Sequence, residues 1–235
     1  MTFSPDTLRF LRALARHNNR EWFEAHRSEY EQHVKAPMLA LIDALDVRFA
    51  TFAPEIVGDT KKSMFRIYRD VRFSKDKSPY KTQASCWLFH GGGSRSVGRD
   101  AGDGGAGFYF QIAPGKSFMG GGLWMPPRPS LLRIRDALVA NPTSFTRIAT
   151  DPKLAKRFGA MTDEDALKRM PRGYDEDHPA AKWLRFQSFT VGRELTDAEA
   201  ISPKLPALLE KDFRIMLPLV RWINMTLGLR PALTR

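Results

Sequence analysis

The sequence predicts an α+β domain: an antiparallel sheet of about five strands, with an N-terminal helical hairpin and a largely helical C-terminal half packed on it. Three observations predict it. Apolar residues recur at helical spacing from residue 4 to residue 49. Short stretches of period-two alternation follow between residues 65 and 124, joined by turns rich in Gly and Pro. Helical spacing then returns from residue 129 onward. Sequential strands linked by turns argue for an antiparallel meander.

Residues 4–17 read as the first helix. Ser4 is a good N-cap, Pro5 suits the first helical position, and Leu8, Leu11, Leu14 and Ala15 form one stripe. Asn18 and Asn19 end this helix and start a second, which runs from Arg20 toward Phe49 with a kink or division expected at Pro37. Strands are expected at Phe65–Phe73, Gln83–Phe89, Gly107–Ala113, Ser117–Trp124 and Phe186–Val191. In the first of these, Arg69 breaks an otherwise apolar register of Phe65, Ile67, Val71 and Phe73. Residues 90–107, HGGGSRSVGRDAGDGGAG, read as a hairpin tip, with 91–106 a flexible Gly-rich insertion. Helices are expected at Pro129–Val139, at Pro142–Ala149 led by Asn141, from His178-Pro179 through Trp183, and at Pro203–Leu227 with a bend at Pro218.

One domain spanning 1–235 is expected, because no linker separates two apolar regions. Hydrophobic residues make up 43% of the chain, enough for a sizeable core and against disorder. The single cysteine, Cys86, allows no intrachain disulfide and fits a reducing compartment. No secretory signal and no run approaching the ~18 apolar residues of a membrane span is visible. A cytoplasmic protein without membrane contact is the expectation.

The net charge is +11, and it is uneven. From Lys61 to Lys81 there are eight Lys or Arg and two Asp, so +6 of that total sits in one short stretch. Guanidinium groups hold phosphate or carboxylate in bidentate fashion, and lysine adds point charge. The candidate ligand-binding residues are therefore Arg66, Arg69, Arg72, Lys75, Lys77, Tyr80 and Lys81. Glu21, Asp70 and Asp76 are the candidate acid/base or ion-pair partners. A rigid turn tied by internal salt bridges is the competing reading, with Glu21 expected to meet Arg69.

Other motifs carry less. Pro114-Gly115-Lys116-Ser117 lacks the earlier glycine of a phosphate loop, since Phe110 stands there, and a strand follows it. Gly120-Gly121-Gly122 inside a strand marks close approach by backbone or ligand, with helix packing the plainer cause. His17, His26, His33, His90 and His178 show no zinc-like spacing, and Asp175-Glu176-Asp177 reads as an acidic helix start. No metal and no cofactor is expected. Cys86 beside Trp87 reads as a buried inert thiol.

Taken with the segments Asn18-Asn19-Arg20-Glu21-Trp22-Phe23 and Arg66-Ile67-Tyr68-Arg69-Asp70-Val71-Arg72-Phe73-Ser74-Lys75-Asp76-Lys77-Ser78-Pro79-Tyr80-Lys81-Thr82, the chain resembles a family of bacterial and fungal conserved hypothetical proteins, domain of unknown function 2461. Gly120-Gly121-Gly122-Leu123-Trp124 with Pro126, and Leu167-Lys168-Arg169 through Gly173-Tyr174 to His178-Pro179, are similar to it as well. The resemblance spans nearly the whole chain and implies one domain. It brings no activity and no catalytic residues, and it marks 91–106 as longer than the family pattern.

The functional expectation is an anion-recognising binding domain around Arg69–Thr82, its partner an anionic small molecule. One alternative is a metal-independent enzyme acting on a phosphorylated or carboxylated small molecule, with Asp70 or Glu21 as acid or base and Arg69 on the anion. The other is a nucleic-acid-binding domain that stacks bases on Tyr80 and Trp124.

Overall fold

Ser4 opens α1 (Pro5–Arg16) as a reciprocal cap: its hydroxyl accepts from the Asp6 amide at 3.2 Å, and Thr7 Oγ1 accepts from the Ser4 amide at 3.1 Å. Asn19 opens α2 (Arg20–Ala25), its side-chain oxygen accepting from the Trp22 amide at 2.9 Å. These details come from a computed structural model that describes residues 2–72, 74–99, 102, 104–161 and 164–234. The expected second helix is divided into α2, α3 (Arg27–Tyr30), a π turn at Glu31–Lys35, and α4 (Ala36–Phe52). Pro37 falls in the first turn of α4, directly after the π turn, and the His33 carbonyl that its missing N–H cannot serve accepts from Thr7 Oγ1 of α1 at 2.6 Å.

The sheet has five antiparallel strands in the order β1 (Ile56–Val57), β2 (Ala84–His90), β3 (Gly107–Ile112), β4 (Ser117–Leu123) and β5 (Phe189–Leu195). The meander is as expected, but its membership differs from the sequence reading. Ile56–Val57 supplies the edge strand, and the described part of Phe65–Phe73 is irregular. Phe73 itself lies outside the described residues. Near the start of that segment the Phe65 amide donates to the Ser85 carbonyl at 3.0 Å, extending the β2 edge for one residue. Beyond it, Asp70 accepts from the Arg72 amide and Asp76 from the Ser78 amide. Those local side-chain turns satisfy backbone donors that a ladder would otherwise have used.

Between the last two strands lie α5 (Arg128–Ala140), α6 (Pro142–Ala149), α7 (Pro152–Phe158) and α8 (Ala181–Leu184). After β5 come α9 (Asp197–Ala200) and α10 (Leu205–Thr226), which continues through Pro218. Register sorts the sheet residues onto two faces. Cys86, Phe110 and Met119 share one row of the inner face, and Leu88, Phe108, Gly121 and Val191 share the next. Helices α4 and α10 cover this face: the Phe108 ring stacks 5.7 Å from Phe49 and 4.4 Å from Phe213. Gly121 permits that approach, because a Cβ there would meet Phe108 at 2.8 Å and the Met216 sulfur at 2.9 Å. Helix packing is thus what the middle glycine of the triplet serves.

One buried carboxylate ties the helical half to the sheet. Asp212 of α10 is 0% exposed and receives a two-pronged pair from Arg157 of α7, at 2.7 and 2.8 Å. Arg193 of β5 reaches the same carboxylate at 3.0 Å and Glu199 of α9 at 3.0 Å. Among the described residues no helix is long and apolar enough to cross a membrane.

Candidate functional site

Asn18 anchors the charged segment to the helical hairpin. Its side-chain nitrogen donates to the Tyr80 carbonyl at 2.9 Å, and its oxygen accepts from the Tyr80 amide at 3.0 Å. The Tyr80 ring, 1% exposed, stacks 4.1 Å from Phe23 of α2. Tyr68 pairs with Tyr80 as an isolated bridge, and the Lys81 amide donates to the Ile67 carbonyl at 2.8 Å. The described residues of 67–81 are therefore a pinned, irregular hairpin. It is held by the two Asn-Asn and Pro-Tyr-Lys motifs that were read separately in the sequence.

Within this hairpin most of the cations are internally satisfied. Arg69 is paired with Asp76, which corrects the expected contact with Glu21; Glu21 lies exposed on α2. Asp76 is the nearer acid because the Asp76–Ser78 turn folds it back beneath Arg69. Arg72 grips Asp70 through Nε and Nη2, with contacts of 3.0 and 2.7 Å, and holds its carboxyl down at about 2. Hydrogen bonds from Ser78, then Arg69, hold Asp76 well below the usual carboxylate range. Lys77 Nζ donates to the Val71 carbonyl at 3.0 Å. Arg66 and Lys75 are exposed and take part in no ion pair among the described residues.

Lys81 is different. It is half-buried, its ammonium lies 5.5 Å from the Phe65 ring centre, and it has no carboxylate partner among the described residues. Burial, and after it the Arg66 charge, push its pKa down. Lys81 and Gln83 stand where two cavities meet. One is a polar trough of about 520 Å³ that takes in Asn18, Arg69, Asp70, Asp76, Ser78 and Tyr80. The other is a groove of about 560 Å³ on the outer face of the sheet.

The sequence reading did not find this groove. Register builds it: Trp87, Tyr109, Gly120 and Gly192 form one outer row, and Ser85, Gln111 and Phe118 the next. Phe65 lies beside the β2 edge, 6.3 Å ring to ring from Tyr109. The Phe118 ring lies flat across the strands because Gly192 has no Cβ, which would meet that ring at 2.3 Å. Lys81 precedes β2 and Trp124 follows β4, and the antiparallel register puts them at opposite ends of the groove. Trp124 is 54% exposed, with Val97 beside it in the lining. Among the described lining residues one is charged, and that is Lys81. Trp87 is 6% exposed, yet its indole Nε1 has no hydrogen-bond partner among the described residues. The signal available in the sequence was that Trp87, Tyr109 and Phe118 alternate with an equally apolar set, so both faces of the sheet are apolar.

Part of the Gly-rich segment reaches the groove. Gly98 is buried against Trp124, and Arg95 Nη1 donates to the Lys62 carbonyl at 3.3 Å. At its far end the Ala106 amide donates to Asn224 Oδ1 at 2.8 Å. Among the described residues no three His, Cys, Asp or Glu side chains gather as metal ligands would. Cys86 is buried on the inner face, and burial raises its thiol pKa to about 12.

The fold and site together define an α+β domain with helices on one face of an antiparallel meander and an aromatic groove on the other. The chain belongs to the conserved hypothetical protein family DUF2461, whose model matches residues 6–222. Comparison with curated proteins and with solved structures gives no significant match.

Proposed function

We propose that this protein is a cytoplasmic anion-recognising binding domain whose anion contact is Lys81, at the junction of the polar trough and the aromatic groove. A single observation carries the reading. The charged segment pairs Arg69 and Arg72 with acids and Lys77 with a carbonyl, but leaves Lys81 half-buried without a counter-charge among the described residues. A partly desolvated ammonium without an acid is an electrostatic cost that a bound anion removes. Gln83 and the exposed Arg66 stand beside it as further donors.

Less supports the other two readings. Asp70 stays ionised down to about 2 in the grip of Arg72, far from the near-neutral pKa that suits a general base. A polynucleotide lying along the groove needs phosphate contacts spaced along it, and Lys81 is the one cation among the described lining residues.

Thermal melts test the proposal. Inorganic phosphate at tenfold above its Kd adds about 1.4 kcal/mol of linkage. For a chain of this size that is a rise of roughly 3–6 °C. The rise is expected in wild type and in Lys75→Gln, and is lost in Lys81→Gln, with ionic strength matched by sodium chloride. An equal rise in Lys81→Gln overturns the assignment.

A further inference from the structure

Resting on the anion reading, we propose that the ligand also carries a planar heteroaromatic ring, joined to its acid group by a linker, as in a nucleoside monophosphate. The ring lies in the outer-face groove and accepts a hydrogen bond from Trp87 Nε1.

The groove asks for two things that a bare anion does not offer. Its lining is aromatic, with Phe65, Trp87, Tyr109, Phe118 and Trp124 contributing. Such surfaces favour flat, polarisable partners, since ring faces stack on ring faces. Its wall also holds an unmet donor, Trp87 Nε1, which is closed to solvent in the free protein and which a ligand reaches by turning the indole. Indole N–H groups find an acceptor when buried, and leaving one without costs the desolvation of that group. The other two indoles on helices α8 and α10 obey the rule: Trp183 donates to Thr146 Oγ1 at 3.0 Å and Trp222 to Ser144 Oγ at 3.1 Å. Trp87 is the exception, and it lines the groove. A fatty acid satisfies Lys81 and the apolar walls, but an alkyl chain offers Trp87 no acceptor. A heterocycle with ring nitrogens or exocyclic oxygens does.

Geometry sets the linker. Lys81 lies beyond the start of β2, and Gln83 and Ser85 stand between it and Trp87 in the groove lining. Extended backbone over those six steps covers at most about 20 Å. The Lys81 ammonium lies 5.5 Å from the Phe65 ring and that ring 6.3 Å from Tyr109, the row partner of Trp87, so a ligand that touches both groups carries its acid on a spacer away from the ring. The volume of about 560 Å³ leaves room for a ring, a sugar-sized spacer and one acid group. A longer polymer would find no second cation among the described lining residues.

The test is titration calorimetry of the full chain with each of the four ribonucleoside monophosphates, with inorganic phosphate, with the corresponding nucleosides, and with decanoate. At least one nucleotide is expected to bind tenfold or more tightly than phosphate and than its own nucleoside. Trp87→Phe keeps the ring but loses the donor. It is expected to weaken the nucleotide about tenfold and leave phosphate unchanged, while Lys81→Gln weakens both. If phosphate binds and no nucleotide exceeds it, or if Trp87→Phe binds the nucleotide as wild type does, the ring proposal falls and the anion reading stands. Decanoate binding more tightly than every nucleotide also overturns the ring proposal, in favour of a lipid. If Lys81→Gln changes nothing, the anion reading falls with it.

Discussion

Asn18 holds both backbone groups of Tyr80, and Tyr80 delivers Lys81 to the mouth of the groove. The lysine is thus fixed from behind by an amide clamp and a ring stack while its ammonium meets no acid among the described residues. Its pKa, lowered by burial and by Arg66, has consequences of known sign. Between that lowered value and the ordinary lysine value of about 10.4, the unfolded chain holds a proton that the folded protein lacks. Stability of the ligand-free protein therefore rises with pH across this window as far as Lys81 is concerned. Anion binding runs the other way: it needs the ammonium, is present below the lowered pKa, and is lost as pH rises through it. Sulfate, whose charge is constant over this range, is the suitable probe. Its affinity for wild type is expected to fall before the ordinary lysine pKa is reached. Lys81→Arg, charged throughout, is expected to hold its affinity flat. Parallel falls in both proteins would show that another group governs the anion.

At the scale of elements, the paired charges do structural work that the sequence did not reveal. The sequence marked the basic segment 61–81 and left open whether its ions were paired or awaiting a ligand. The structure divides them, because Asx-type turns at Asp70 and Asp76 bring acids next to Arg72 and Arg69. Alternation of apolar residues alone predicted a strand from Phe65 to Phe73. Those turns replaced the ladder over its described part, while the two-residue strand Ile56–Val57 was too short to leave a periodic signal. The Asp212 network was equally hidden, since its two arginines lie 55 and 19 residues from Asp212 along the chain. Its buried carboxylate joins α7, β5 and α10, so Asp212→Asn is expected to cost about 3–5 kcal/mol, leaving Arg157 and Arg193 facing a neutral amide. Urea melts of wild type and variant measure this. A change within about 0.5 kcal/mol, the range of an ordinary surface substitution, would mean that solvent already screens the network.

For the whole molecule, the five-stranded α+β architecture, the helical hairpin and the capping residues Ser4 and Asn19 were legible, because each rests on local periodicity and local hydrogen bonds. The groove was not. It exists only where strand pairing aligns Trp87, Tyr109 and Phe118 on the face the helices leave open, and pairing is a long-range fact. The central claim is that this open face, from Lys81 to Trp124, is where the ligand sits. The five indole N–H signals in nitrogen-15 NMR report on it directly, during titration with whichever ribonucleoside monophosphate binds most tightly. Trp87 is expected to move most, with a downfield shift as its N–H gains an acceptor, and Trp124 to move with it. Trp183 and Trp222, already bonded to hydroxyls within the helical half, are expected to stay in place. Saturable shifts confined to Trp183 or Trp222, or binding that leaves Trp87 and Trp124 unmoved, would contradict the account and put the ligand elsewhere on the molecule.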